Sequence, residues 1–294
     1  MDQDRQLYEE EATGWQRGLY EDIKRTFRAP IVNWIFRTMV ANHPKLTRHL
    51  WVQVKPVFET RSFGRTAIAH RAAVYEALDV DDRVERYRCG ELDVSPAEFR
   101  ELQGQIATYD VVASRLAVLF EVADRSLNGG SVGTKPDEGR AACEPLSASF
   151  DRDRGRPPSM IETDAVPPEL EDTVASIRAF HGLDSGFPSI YRTMAQWPGY
   201  LEPMWDDLEP TLRSDGFESA VERSAAVIQE HVDSLPYRPQ VTPDALESAG
   251  FGTGAIDDFA DLFATFNRGP IEKVLPALPV YAYTIDAEGP RTLG

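Results

Sequence analysis

The chain nearly repeats itself. NWIFRTMVANHPKLTRHLW occupies residues 33–51, and FPSIYRTMAQWPGYLEPMW occupies residues 187–205. Phe36-Arg37-Thr38-Met39 recurs as Tyr191-Arg192-Thr193-Met194. After a slip of one residue, Pro44 matches Pro198, Trp51 matches Trp205, Val54 matches Leu208 and Pro56 matches Pro210. Farther on, Ser95-Pro96 matches Thr242-Pro243, and Tyr109, Val112, Leu116 and Leu119 match Ile256, Phe259, Phe263 and Phe266. Equivalent residues in the same order over such a span mark an internal duplication. A duplicated unit has an apolar face to bury, and its twin is the obvious surface to bury it against.

The local pattern in each copy is helical. Tyr109, Val112, Ala113, Leu116, Leu119 and Phe120 recur at the three- and four-residue spacing of one helix face. Ser95-Pro96 and Thr242-Pro243 each offer a capping hydroxyl followed by proline at the first helical position, where the missing N–H costs nothing. Pro44 and Pro198 punctuate pairs of helices. No sustained alternation of period two appears, so strands should be rare. The expected fold class is all-α: two tandem helical repeats forming a pseudo-dimer around a central inter-repeat cleft. Repeat 1 is read over residues 15–127 and repeat 2 over residues 169–286. Between them, residues 128–168 are rich in Gly, Pro and Asp and lack an apolar stripe, the signature of a partly disordered linker. Pockets favour interfaces between helices and domains, so the FRTM and YRTM segments are expected to flank a shared cleft.

Charge excludes several partners. The formal net charge is −17 over 294 residues. The 31 basic residues comprise five Lys and 26 Arg. Acid excess with scarce lysine reads as the surface of a protein from a salt-accumulating halophile, where charge keeps the chain soluble and a Debye length of about 3 Å at molar salt tames self-repulsion. Nucleic-acid binding wants a basic face and is excluded. No apolar run reaches the roughly 18 residues of a membrane span, and the acidic N-terminus is not a signal peptide. Cys89 and Cys143 lie far apart with no CxxC, so a reducing, cytoplasmic setting is expected. A homodimer stays open.

The candidate chemistry is sparse. The five histidines form no HExxH and no paired ligand spacing. Asp257-Asp258-Phe259-Ala260-Asp261 matches the DDxxD by which all-α isoprenoid synthases hold Mg²⁺ against a diphosphate, and Asp257 and Asp261 are neighbours on one helix face. A Mg²⁺-dependent prenyl-diphosphate enzyme is therefore one alternative. Against it, Phe259 belongs to the apolar stripe, the equivalent positions of the first copy carry no second motif, and acidic doublets are common in so acidic a chain. Trp34 with Phe36, and Tyr191 with Trp197, read as core by periodicity; their place at the duplicated helix entrance keeps a ligand role open.

These same segments carry a family resemblance. Pro30-Ile31-Val32-Asn33, then Phe36-Arg37 and Met39, then Pro44, Trp51, Val54 and Pro56, with the second copy following suit, resemble the group I (DehI-type) 2-haloacid dehalogenases. The resemblance implies an α-helical pseudo-dimer with the active site between repeats. It implies hydrolytic halide removal from small 2-haloalkanoic acids, with no metal and no organic cofactor, so the expected partner is a small-molecule carboxylate. In such a family a carboxylate of the second repeat acts as general base on a water that attacks Cα directly. Where the family reads Ser-Asp-Tyr-Arg, this chain reads Ser189-Ile190-Tyr191-Arg192. The base position is thus Ile190, which accepts no proton. Asp184 is the candidate substitute if its loop turns inward. Trp34, Phe36, Ser189, Ile190 and Tyr191 are the binding residues the resemblance implies. The family's catalytic asparagine finds no counterpart in Leu119-Phe120-Glu121-Val122-Ala123. A non-catalytic relative that binds a small carboxylate on the same scaffold is the other alternative.

Overall fold

The computed structural model describes residues 1–184, 186–268 and 273–293. Among them all regular structure is helical, and the one β-type pairing is an isolated bridge between Thr60 and Pro145. The helices are α1 (Gly14–Phe27), α2 (Trp34–Asn42), α3 (Pro44–Val54), α4 (Arg61–Leu78), α5 (Val80–Arg83) and α6 (Pro96–Leu127). After residues 128–170 come α7 (Glu171–His181), α8 (Ser189–Met194), α9 (Pro198–Leu212), α10 (Asp215–Ser234), α11 (Pro243–Ser248), α12 (Thr253–Arg268) and α13 (Val274–Tyr283).

The helix boundaries follow from the side chains at them. Ser95 accepts the N–H of Glu98 at 3.3 Å while the Glu98 carboxylate accepts the N–H of Ser95 at 2.8 Å, a reciprocal capping box that starts α6. Thr242 caps α11 through the N–H of Ala245 at 3.3 Å. Pro44 and Pro198 stand at the first turns of α3 and α9. The residues matched in sequence to those of α6 fall on two helices, α11 and α12. Gly250, at φ +90°, takes the left-handed conformation that ends α11, and Phe251 N–H returns to the Leu246 carbonyl at 3.1 Å.

Aromatic residues matched in sequence meet in similar ways. Phe36 meets Trp51 edge to face, with ring centroids 5.5 Å apart and planes at 89°. Tyr191 meets Trp205 at 5.9 Å and 90°. Phe27 on α1 and Phe180 on α7 each contact their tryptophan at 5.7 Å and 66°. Each indole N–H is also satisfied, Trp51 by Asp22 at 2.8 Å and Trp205 by Ser176 at 3.1 Å. A buried aromatic pair of this geometry contributes about 0.5–1.5 kcal/mol beyond its area. The two clusters anchor the two helix entrances.

The long helix α6 lies between α12, α13, α10 and α4, and α4 packs along α10. Its expected apolar stripe is buried, but so are Asp110, Arg115, Glu121 and Asp124 on its other faces. A helix surrounded on every side must bury whatever its sequence places there, so its charges are paired. Asp110 accepts from Arg71 at 2.7 and 3.0 Å, from Arg154 at 3.0 Å and from the N–H of Gly289 at 2.9 Å. Arg115 gives Nη1 to Asp151 at 3.0 Å. Asp151 and Arg154 belong to the segment expected to be a linker, which is thereby fastened along α6. Gly155, at φ +83°, makes that close approach: a Cβ there would collide with the Thr108 hydroxyl.

Candidate active site

A cavity of about 260 Å³ opens where α4, α6, α10 and α12 converge. Its apolar wall includes Phe120 of α6, Ile228 of α10 and Phe266 of α12. Its polar wall is built by the ends of α6 and α12. Glu121 and Asp124 are neighbours at three-residue spacing on α6, and Asn267 bridges them, donating its amide to Glu121 at 2.8 Å and to Asp124 at 2.9 Å. Arg125 gives Nε to Glu121 at 2.5 Å, and Arg268 gives Nη2 to Asp124 at 2.6 Å. The carboxylates are buried and locked by charge-assisted hydrogen bonds. Asn128 adds a fifth contact, to Asp124 at 2.8 Å.

His70 of α4 lines the same cavity. It is only 2 % exposed. Burial, reinforced by the neighbouring Arg71 guanidinium and opposed by Asp110, pushes its imidazole down to about 4. The ring is therefore neutral near pH 7.

The residues singled out from sequence are dispersed around this region. Trp34 is half-buried and stacks on Phe266, centroids 5.3 Å apart and planes at 29°, so it touches the cavity wall from outside. Phe36 is 1 % exposed and packs in the core with Phe27 and Trp51. Ser189 begins α8, and its carbonyl accepts from the Tyr109 hydroxyl of α6 at 3.2 Å. Ile190 is 1 % exposed and Tyr191 is fully buried, its hydroxyl held by His181 and Tyr281. None of these five lines the cavity. Asp184 is exposed in the turn after α7, which does not suit a base that must work on a sheltered water; Ser185 beside it lies outside the described residues.

The acidic triplet is likewise not gathered around one point. Asp257 and Asp261 are exposed, while Asp258 is tied back to the N-terminal amine at 2.6 Å and to His43 Nε2 at 2.6 Å. Among the described residues no cluster of three or more His, Cys, Asp or Glu is arranged to hold a metal ion.

Comparison with known proteins joins this geometry to the sequence pattern. The family model described as halocarboxylic acid dehydrogenase DehI matches residues 30–162. An (R)-2-haloacid dehalogenase from Pseudomonas putida is 24% identical over 254 residues, covering 84% of this chain and 82% of that protein. Over these stretches the chain is similar in sequence to the DehI family. Two solved structures of D-2-haloacid dehalogenases share the fold. A mutant in complex with D-2-CPA superimposes with a TM-score of 0.78 at 21% identity, and a complex with L-LA with 0.80 at 20%; each comparison covers 95% of both chains. No helix among the described residues is long and apolar enough to cross a membrane.

The cavity residues escaped the sequence reading for a physical reason. Glu121, Asp124 and Arg125 look like an ordinary salt-bridged helix face, and only the packing of α10 and α12 against α6 turns that face inward. The one local signal was that Glu121 and Asp124 interrupt an otherwise apolar run.

Proposed function

We propose that this chain is a 2-haloacid dehalogenase-type protein that takes a small carboxylate and removes halide hydrolytically, a water attacking Cα directly, without metal or organic cofactor. The observation that carries the reading is the combination of the family match with a cavity of about 260 Å³. That volume suits a small organic acid rather than a polymer. In-line displacement by water needs a proton acceptor within hydrogen-bond reach, donors for the substrate carboxylate and an apolar enclosure for the departing halide.

The proposed architecture behind it is two repeats, residues 15–127 and 169–286, facing each other as a pseudo-dimer and joined by residues 128–168. The twin aromatic clusters support this, as do the two crossing contacts: Trp34 of the first copy reaches Phe266 of the second, and Tyr109 of the first reaches Ser189 of the second. Trp34, Phe36, Ser189, Ile190 and Tyr191 would shape the entrance region rather than perform the chemistry. The charge of −17 fits a cytoplasmic protein adapted to high salt.

Buried Ile190 in the family's base position favours a second reading, a non-catalytic binder of small carboxylates on the same scaffold. The two are separated by incubating the protein in molar KCl with each enantiomer of 2-chloropropionate and following lactate by chiral chromatography, because released chloride would vanish in the background. The dehalogenase reading expects lactate of inverted configuration. Binding without lactate would establish the second reading instead.

A further inference from the structure

Four arginines and two aspartates converge where α4, α6 and the end of α1 meet residues 147–154. Arg71 and Arg154 both reach Asp110, at 2.7 and 3.0 Å. Arg154 and Arg115 both reach Asp151, at 2.7 and 3.0 Å. Arg28, which follows α1, gives Nη1 to the backbone carbonyls of Ser147 and Phe150 rather than to a carboxylate. Arg71, Arg115, Asp110 and Asp151 are all buried. The cluster therefore gathers more positive than negative charge, and a buried charge without its counterion is strongly destabilising.

Arg115 is where the imbalance falls. Its side chain is 0% exposed. Nη1 is spent on the Val111 carbonyl and on Asp151. Nε and Nη2 are buried and meet no hydrogen-bond partner among the described residues. In a planar guanidinium these two nitrogens form one edge, from which two N–H bonds project side by side toward a single acceptor. The rings of Phe63 and Phe150 stand 5.4 and 5.9 Å from Cζ. Their faces attract the charge but bring no lone pair to that edge. Burial holds the guanidinium below its ordinary value, with Asp151 opposing and Arg28 and Arg154 reinforcing the effect. Buried donors nearly always find a partner in protein, water or ligand. A water satisfies the two N–H groups and leaves the excess charge; an anion answers both. An oxyanion would bring further acceptors that the two apolar rings leave unsatisfied, whereas a halide ion makes no such demand.

We propose that the Nε–Nη2 edge of Arg115 is a structural anion site that holds one chloride ion between α6 and residues 147–154. The site is separate from the cavity beside Glu121 and Asp124, which Arg115 does not line, and it stands whether or not the chain is a dehalogenase. The ion supplies the negative charge that Asp110 and Asp151 leave short, and it helps to fasten the segment that carries Asp151 and Arg154 onto α6. Salt then acts on this chain in two ways. It screens the net charge of −17, and it fills one site that exists only in the folded protein.

The test compares the full chain with Arg115→Met, which removes the donors while Asp151 keeps Arg154. Urea unfolding is followed at constant molar potassium as gluconate, too large for a buried edge, is replaced stepwise by chloride and, in a second series, by bromide. An ion bound only by the folded state adds about 1.4 kcal/mol for each tenfold rise in its concentration above Kd. The stability gap between wild type and Arg115→Met is expected to widen by that slope with chloride and with bromide. A parallel response of the two proteins shows screening alone and overturns the proposal. Wild-type crystals grown in bromide supply the second readout, with an anomalous peak expected within hydrogen-bond reach of Arg115 Nε and Nη2. Water at that edge, the edge lying bare against Phe63 and Phe150, or bromide at the surface as an adventitious ion only each overturns the proposal, even if Arg115→Met fails to fold.

Discussion

The hydroxyl of Tyr191 lies 2.7 Å from Nε2 of His181, deep in the second half of the molecule. On its other side stands the Tyr281 hydroxyl at 2.5 Å. Burial raises the Tyr191 phenol well above its ordinary value, with the neighbouring Tyr281 adding to the effect, so it stays protonated and serves as one link in a hydrogen-bonded chain. Tyr191→Phe keeps the aromatic packing on Trp205 but orphans both neighbours. Because His181 Nδ1 already lacks a partner, the variant leaves a fully unsatisfied imidazole. The expected loss is about 1–3 kcal/mol, read as a lower urea midpoint with an unchanged m-value. A midpoint equal to wild type would show that the chain of hydrogen bonds contributes nothing.

Histidine burial makes the fold sensitive to mild acid. Burial pushes His70, His181 and His231 each down to about 4, with Arg71 adding to the effect at His70 and Lys273 at His181. In the unfolded chain these rings titrate near 6.5. Between those values the unfolded state binds protons that the folded state declines, so stability is full above about pH 6.5 and falls as the pH drops toward 4. Each ring can remove up to about 3 kcal/mol, and three together rival the whole stability of an ordinary domain. Urea midpoints at pH 7.5 and pH 5.0 should differ sharply. His231→Leu should shrink that difference, since His231 titrates without any charged neighbour. An identical pH dependence in the variant would contradict this account.

The buried ion network yields a prediction of a different kind. Asp110 is the shared acceptor for Arg71 and Arg154 and for the backbone of the C-terminal segment. Asp110→Asn removes the charge but leaves Arg71, which is 4 % exposed, without its counterion. Removing one partner of a buried pair costs about 3–5 kcal/mol. The exposed pair Arg83–Asp79, at 3.8 Å, supplies the control: Arg83→Gln should shift the unfolding midpoint by less than about 0.5 kcal/mol. Protease sensitivity at residues 128–168 should rise with Asp110→Asn and not with Arg83→Gln, because Arg154 loses its hold as well.

These cases show what the sequence made legible. The apolar stripe of Tyr109, Val112, Leu116 and Leu119, the capping pairs Ser95-Pro96 and Thr242-Pro243, and the matched Trp51 and Trp205 are local signals, and each lies where its periodicity or capping chemistry demands. His70, Asn267 and Arg115 gave no comparable signal. Their roles depend on which helix faces which, and α6 looks amphipathic until α10, α12 and residues 128–168 close around it. The resemblance directed attention to α8, where the protein has buried Ile190 rather than opened a pocket. Glycine signals fall between these extremes. Gly250 ends α11 for a reason visible in Ala249-Gly250-Phe251-Gly252, whereas Gly155 is required by a contact with Thr108 that no local pattern announces.

Ile190 itself separates ancestry from present chemistry. Restoring an aspartate there rebuilds the family motif Ser-Asp-Tyr-Arg on α8, and on sequence grounds it should restore a base. The structure argues otherwise. Ile190 is 1 % exposed, and it is not among the residues that line the cavity. A carboxylate at that depth either stays ionised without a cation or takes up a proton, and both cost folding free energy. Ile190→Asp is therefore expected to lower stability by roughly 3 kcal/mol or more, the range for an unpaired buried charge. Lactate formation per folded molecule should not rise. A sensible pairing is urea unfolding with turnover measured on the same preparation. If the variant were as stable as wild type and turned over 2-chloropropionate at least tenfold faster, α8 would have to be the seat of catalysis and the α4–α6–α12 cavity would not.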